Sequence, residues 1–156
     1  MSLFLGQRNR IGLAERQVEY CVLAWQVLCG DEVRALITDE AVRDGSQTRF
    51  VEDRNVVYLG ADAYPGNGTS ANARMSPLAC LAHELSHMQR FERGYRRPFD
   101  MPDLLIDEAE TSLNASFHSI INTKDREDLV EDARDRLTEW LADSKQEAHY
   151  DHKDRT

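Results

Sequence analysis

The stretch that decides the fold of this chain is residues 76–88, which read SPLACLAHELSHM. Ser76 and Pro77 are typical of a helix start, because a serine side chain accepts hydrogen bonds from free amides and proline suits the first helical position. The helical pattern continues as far as residue 93 and stops at Gly94, a residue type that commonly ends helices. The segment therefore predicts one helix with an apolar composition and few charges.

Two histidines mark one face of this predicted helix. His83 and His87 are four residues apart, so their imidazoles lie one turn apart and can bind the same metal ion. Glu84 follows at about 100° around the helix, where it can reach a metal-bound water without being a ligand. We therefore predict a zinc site in which Glu84 is the general base and the zinc-bound water is the nucleophile. The opposite side of the helix is apolar and carries Leu78, Leu81, Leu85 and Met88.

The third zinc ligand should come from another element, because a catalytic zinc takes three protein ligands and keeps one position for water. A helix predicted near residues 103–121 offers Glu108 and Glu110. Glu110 lies within about 40° of the centre of the apolar face of this helix, whereas Glu108 points nearly the opposite way. We expect Glu110 to be the ligand, with Glu108 as the alternative, and Asn114 to hydrogen-bond a ligating histidine. The apolar face is formed by Ile106, Ala109, Leu113, Phe117 and Ile120.

The rest of the chain predicts further helices and a small sheet, and hence an α+β fold. We expect one domain over residues 1–148 and a polar C-terminal tail over residues 149–156. The expected helices are 11–29 and 125–148, and the expected strands are 33–37, 48–51 and 55–59, the last two forming a hairpin. The last helix is expected to bury Leu129, Ala133, Leu137, Trp140 and Leu141.

Two segments are expected to flank the site. Residues 56–59 form the most β-prone run and are predicted at the sheet edge, where an extended substrate can add as a further strand, with an ordinary core strand as the alternative. Residues 61–75 are rich in glycine, asparagine, serine and alanine and predict a long loop that either borders the cleft or blocks it until a partner binds.

The charge and composition of the chain argue against some classes of binding partner. The net charge of −9 argues against a nucleic-acid surface, which needs clustered lysine and arginine. No apolar run has the length of a membrane span or of a secretory signal, and three cysteines form no paired motif, so we expect a cytoplasmic protein. The one basic cluster is predicted to be a solvated helix end, with contact to an acidic segment of a partner as the alternative. It consists of Arg90, Arg93, Arg96 and Arg97.

The HELSH motif with a later glutamate resembles the gluzincin class of zinc metallopeptidases. Within that class, the short chain and the pattern Glu110-x-x-Leu113-Asn114 resemble the small ImmA/IrrE-type metallopeptidases and the minigluzincins. The resemblance implies a zincin-like fold, in which a zinc-binding helix pair packs beside a small twisted sheet. It also implies one zinc ion bound by His83, His87 and Glu110, whereas a gluzincin alignment of residues 107–112 selects Glu108 instead.

The expected activity is zinc-dependent hydrolysis of a peptide bond in an intracellular protein substrate, and the resemblance suggests a regulatory protein as that partner. The alternatives are a non-catalytic metal-binding interaction domain and a toxin-like effector that uses the same chemistry. A further donor should stabilise the oxyanion, and no spacing rule selects among its candidates. These are Tyr95, Arg96, His118 and Tyr150.

Overall fold

The computed structural model describes residues 8–38 and 42–153 of the chain. Over these residues five α-helices accompany a three-stranded mixed sheet, which confirms the predicted α+β class. No helix in the described ranges combines the length and the apolar composition that crossing a bilayer requires. The helices are α1 (Glu15–Cys29), α2 (Ala71–Arg74), α3 (Pro77–Glu92), α4 (Asp103–Ser116) and α5 (Thr123–Lys153), and the strands are β1 (Leu36–Ile37), β2 (Arg49–Val51) and β3 (Val56–Tyr58).

The sheet has the order β1-β3-β2, with β1 parallel and β2 antiparallel to β3. The predicted hairpin between the last two strands is present, and its turn ends at Asn55, whose φ of 51° is left-handed. The prediction that residues 56–59 form the sheet edge is wrong and the alternative of a core strand fits, because β3 is the central strand and β2 lies at the edge. The physical reason is that hydrogen bonds satisfy both edges of this segment: the amides of Val57 and Leu59 donate to the carbonyls of Ala35 and Ile37 on one side, and β2 pairs with β3 on the other.

Helix α3 begins where the sequence predicts. The Ser76 hydroxyl accepts a hydrogen bond from the amide of Ala79 at 3.1 Å, which caps the first turn. The helix packs against α1, α4, α5 and the sheet, so it is buried on several sides at once. Its apolar residues Leu81, Leu85 and Met88 are buried and join the main core. This central position fixes the orientation of the side chains that α3 carries.

Residues 61–75 contain more regular structure than the predicted loop. A 3-10 turn at Ala61–Ala63 and the short helix α2 bury small side chains, including Ala71 and Ala73. Arg8 fastens this segment, because its guanidinium donates to backbone carbonyls at both ends of it. These are the carbonyls of Asp62 at 2.5 Å, Ala63 at 2.7 Å, Asn72 at 2.5 Å and Met75 at 3.0 Å.

Helices α4 and α5 differ from their predicted bounds. Helix α4 ends at Ser116, whose carbonyl accepts a hydrogen bond from the Arg126 side chain at 2.8 Å. Helix α5 extends to Lys153, through most of the predicted tail, and residues 154–156 lie outside the described residues.

The inner face of α5 is more polar than its sequence predicts. Leu129 and Ala133 are buried as expected, whereas Leu137 and Leu141 are 45% and 48% exposed. Three acidic residues share the buried side of the helix instead: Asp125, Asp128 and Asp132. Burying carboxylates is costly unless they are paired, so this face must meet cationic or hydrogen-bonding partners.

Replacing Arg8 by methionine tests whether its hydrogen bonds to residues 62–75 stabilise the fold. We expect the free energy of unfolding to fall by about 2–4 kcal/mol, because several carbonyls lose a charged donor and part of them stays buried. Urea denaturation followed by circular dichroism measures the change. Arg16→Met on the exposed side of α1 is the control and should shift stability by less than about 0.5 kcal/mol. Equal effects of the two substitutions would show that the Arg8 hydrogen bonds are replaceable by water.

Candidate metal centre

Helices α3 and α4 bring three ligand-type side chains together. Nε2 of His83 lies 2.9 Å from Oε2 of Glu108, and Nε2 of His87 lies 3.2 Å from Oε1 of the same carboxylate. One ligand atom from each residue falls within 4.8 Å of the others, and all three residues are buried. Two imidazole nitrogens and one carboxylate form a donor set typical of catalytic zinc, although other divalent ions accept the same ligands. The group can therefore hold one metal ion.

The prediction that Glu110 faces the histidines is wrong. Its carboxylate accepts a hydrogen bond from Arg90 at 2.8 Å, and its side chain is 52% exposed. The error comes from the assumption that the apolar stripe of α4 faces inward, since Leu113 and Phe117 are 44% and 76% exposed. The face that packs against α3 and α5 is largely polar, and Glu108 lies on it. Its buried members include Leu105, Glu108, Thr111, Ser112 and Ala115.

A serine and an aspartate orient His83. Nδ1 of His83 lies 2.8 Å from Oγ of Ser112, and that hydroxyl donates to Oδ2 of Asp132 at 2.5 Å. Because the Ser112 hydroxyl donates its hydrogen bond to Asp132, its oxygen is left to accept a hydrogen bond from the Nδ1–H of His83. With Nδ1 turned to Ser112, Nε2 of His83 is the ring nitrogen that faces Glu108 and would bind a metal ion.

The second imidazole has a looser support. Nδ1 of His87 lies 3.4 Å from Oγ1 of Thr111 and 3.9 Å from Oδ2 of Asp107. Asn114, which was expected to hydrogen-bond a histidine, donates to Oγ of Ser86 at 2.7 Å instead. That expectation is wrong because Asn114 lies a further part-turn along α4, beside the middle of α3. Thr111 and Ser112, which line up with the two rings, had no distinguishing sequence signal.

The charges of the cluster favour an ionised Glu108. Burial raises the pKa of Glu108, but the neighbouring His87 and the hydrogen bonds from both histidines lower it well below its usual range. Burial lowers the pKa of His87, but the charge and hydrogen bond of Glu108 outweigh that effect and raise it. Two arginines add to the field: Nη2 of Arg97 lies 2.9 Å and Nη1 of Arg136 lies 3.5 Å from the Glu108 carboxylate. A buried, ionised carboxylate is a suitable ligand for a cation.

Glu84 lies beside the ligand group without belonging to it. Its Oε2 accepts a hydrogen bond from the backbone amide of Phe50 in β2 at 2.9 Å. Burial raises the pKa of Glu84, while the two histidines lower it in part. Glu84 shares one cavity of about 610 Å³ with His83, His87 and Glu108. The carboxylate is thus fixed by the sheet edge and turned towards the same space as the ligands.

The residues predicted as candidate oxyanion donors lie elsewhere. Tyr95 stacks under Arg90, Arg96 covers the ring of Phe91, and Nε2 of His118 lies 2.8 Å from the carbonyl oxygen of Leu28. None of Tyr95, Arg96 and His118 lines the cavity in the part of the chain described, and the side chain of Tyr150 lies outside it. The cationic side chains that do reach Glu108 are Arg97 and Arg136, and no sequence pattern assigned either of them to the site.

Comparison of the chain with protein-family models, with curated proteins and with solved structures found no match. The resemblance to gluzincins therefore rests on the motif alone. The function must be inferred from the positions of the side chains.

Paired substitutions on α4 distinguish the two glutamates. We expect Glu108→Gln to weaken zinc binding by at least about 100-fold, because it removes the anionic ligand between two imidazoles. Glu110→Gln should leave the zinc affinity within about twofold, since its carboxylate pairs with Arg90 at the surface. Competition with a chromophoric chelator measures both constants. The opposite ranking would restore Glu110 as the ligand.

A further substitution in α4 tests the hydrogen bond by which Ser112 orients His83. Ser112→Ala should lower zinc affinity by about 10-fold to 100-fold, because the imidazole loses the acceptor that fixes its tautomer and orientation. The matched control is Asn114→Ala, which removes a hydrogen bond to α3 that does not involve a histidine. Equal zinc affinities for the two variants would exclude the proposed role of Ser112. Thermal unfolding of both apo-proteins separates a loss of affinity from a loss of fold.

Proposed function

We propose that this chain is a zinc-dependent, zincin-like metallopeptidase that hydrolyses a peptide bond in an intracellular protein, with a regulatory protein as the suggested substrate. The observation that carries the proposal is the arrangement of four residues around one cavity. His83, His87 and Glu108 converge on a common point, and Glu84 faces the same space while remaining outside the ligand group. A metal ion with a nearby free carboxylate is the minimal apparatus for activating water at neutral pH.

Glu84 is the proposed general base. A divalent ion held by the three ligands would acidify a coordinated water and polarise the scissile carbonyl. The Phe50 amide holds Oε2 of Glu84, which leaves Oε1 to take the proton of the attacking water and deliver it to the leaving amine. Because the anchoring amide belongs to the backbone of β2, the carboxylate does not need to reorient between these two transfers.

Arg97 is the proposed donor for the developing oxyanion. Its guanidinium reaches the Glu108 carboxylate at 2.9 Å and is 44% exposed, so it borders both the ligand group and the open cavity. The backbone amide of Arg97 donates to Oε1 of Glu52 at 2.6 Å, which ties its segment to the turn after β2. A fixed cation beside the reacting carbonyl stabilises negative charge that appears only in the transition state.

A non-catalytic metal-binding or interaction domain is the second candidate. It is favoured by the ion pairs of Glu108 with Arg97 and Arg136, since these balance the buried carboxylate without any metal ion. In that case the cluster would stabilise the packing of three helices. A toxin-like effector would use the same residues as the peptidase and differs from it only in its target.

Replacing the proposed base separates the two candidates. We expect Glu84→Gln to bind zinc with nearly unchanged affinity, because residue 84 is no ligand and an amide oxygen can still accept from Phe50. Its rate of peptide cleavage should fall by about 10²-fold to 10⁴-fold. Mass spectrometry of lysate proteins cut by the zinc-loaded wild type and not by the variant measures activity on any substrate that the lysate contains. Identical cleavage patterns for both proteins would contradict the peptidase and favour the binding domain.

A further inference from the structure

The rim of the cavity is cationic, although the protein as a whole has a net charge of −9. Three arginines that line the cavity are exposed: Arg10, Arg49 and Arg97. Arg10 belongs to the segment before α1, Arg49 to the edge strand β2, and Arg97 to the connection between α3 and α4. The three cations thus come from separate parts of the chain and meet at one opening.

Two of these guanidiniums have no carboxylate partner in the described part of the chain. Within the described residues, Arg49 donates to the carbonyl of Gln47 at 3.3 Å and stacks 4.9 Å from the centre of the Tyr58 ring. Arg10 is held through its backbone carbonyl, which accepts from the amide of Gly45 at 2.8 Å, and its guanidinium forms no ion pair there. In a protein of net charge −9, two arginines that lack a carboxylate partner among the described residues leave a locally positive potential at the cavity mouth.

The acidic residues of the cavity do not neutralise this rim. Those among the described residues are buried or half-buried, and each is already engaged. Asp62 accepts from the amide of Thr48 at 2.5 Å, and Glu84 accepts from the amide of Phe50. Asp132 pairs with Arg136 at 2.8 Å, and Glu108 contacts Arg97 and Arg136. Among the residues that the structure describes, the exposed charge lining the cavity is therefore positive.

We propose that the cavity selects an acidic peptide, an extended segment with aspartate or glutamate residues close to the bond to be cut. The inference rests on the proposed peptidase function and specifies its substrate class. Arginine pairs well with carboxylates, and fixed rim charges discriminate between substrates that the deeper site treats alike. Met101 and Leu104 provide an apolar stretch of the same wall for an interspersed hydrophobic side chain.

Backbone pairing alone would not give this selectivity. An extended chain can lie beside β2, which is the edge strand of the sheet. The amide of Phe50, however, is already bound by Glu84 and cannot donate to a substrate. Side-chain charge must then contribute more to the discrimination between substrates. A nucleic acid fits less well, because it needs an extended line of phosphate contacts on a surface that is otherwise acidic.

Matched fluorogenic peptides test the inference. One peptide carries Asp and Glu on both sides of the scissile bond, and its partner carries Asn and Gln at the same positions. We expect zinc-loaded wild-type protein to cut the acidic peptide with a kcat/KM about tenfold higher. In the double variant Arg10→Glu, Arg49→Glu this advantage should disappear, mainly through KM, while the Asn/Gln peptide is little affected. Arg16→Glu, an exposed charge reversal on α1 away from the cavity, is the control and should retain the preference.

A binding measurement keeps this test separate from catalysis. Fluorescence anisotropy of the labelled acidic peptide on zinc-loaded Glu84→Gln should show about tenfold tighter binding than for the Asn/Gln peptide, and Arg10→Glu, Arg49→Glu should abolish the difference. Charge-dependent binding without cleavage by the wild type would support the cavity inference and contradict the peptidase. Cleavage of both peptides at equal rates would support the peptidase and contradict the cavity inference. Equal binding of both peptides, or tighter binding of a single-stranded oligonucleotide, would overturn the acidic-peptide inference.

Discussion

The carboxylate of Glu108 is the point at which three parts of the structure meet. It contacts both histidines of α3, Arg97 from the connection that follows α3, and Arg136 of α5. A buried carboxylate without such partners would cost several kcal/mol in desolvation, so the helices that carry these donors are held in register by the need to satisfy it. The same constraint suits the proposed metal site, because a carboxylate kept ionised between two imidazoles is already in the form in which it binds a cation.

The residues that contact Glu108 are themselves held by further hydrogen bonds and ion pairs. Ser112 joins His83 to Asp132, and Arg136 closes the chain by binding both Asp132 and Glu108. Each member therefore limits the freedom of the next, and rotation of one side chain would leave two others unsatisfied. Networks of this kind fix a ligand direction better than apolar packing alone, because hydrogen bonds depend on angle as well as distance.

The parts of the site that could be predicted from sequence are those set by local geometry. The cap at Ser76, the helix after it and the shared face of His83 and His87 all follow from contacts within a few residues. The choice between Glu108 and Glu110 could not be made in the same way, since the hydrophobic stripe of α4 identifies the inner face only when that face is apolar. Here the inner face holds the polar site, and exposed Leu113 and Phe117 lie outside.

The order of the strands and the contacts that distant segments make with the site could not be predicted from sequence, because they also depend on the tertiary structure. The β-prone run at Val56–Tyr58 predicts a strand, but its central place depends on pairing with both β1 and β2, which no local pattern encodes. Arg97 was predicted to belong to a solvated helix end and Arg136 had no distinguishing signal in the sequence, and only the tertiary fold turns both towards Glu108. The α+β class was predictable because it needs only the types of the elements and not their arrangement.

The acidic inner stripe of α5 has a consequence for how the site is made in the cell. During synthesis the two histidines and Glu108 leave the ribosome well before Asp132 and Arg136, which complete their hydrogen bonds. Until α5 docks, Ser112 lacks its acceptor and Glu108 lacks one of its arginines. The nascent chain therefore carries His83, His87 and Glu108 before their final orientation is fixed, and the candidate metal centre is complete only when the C-terminal helix is in place.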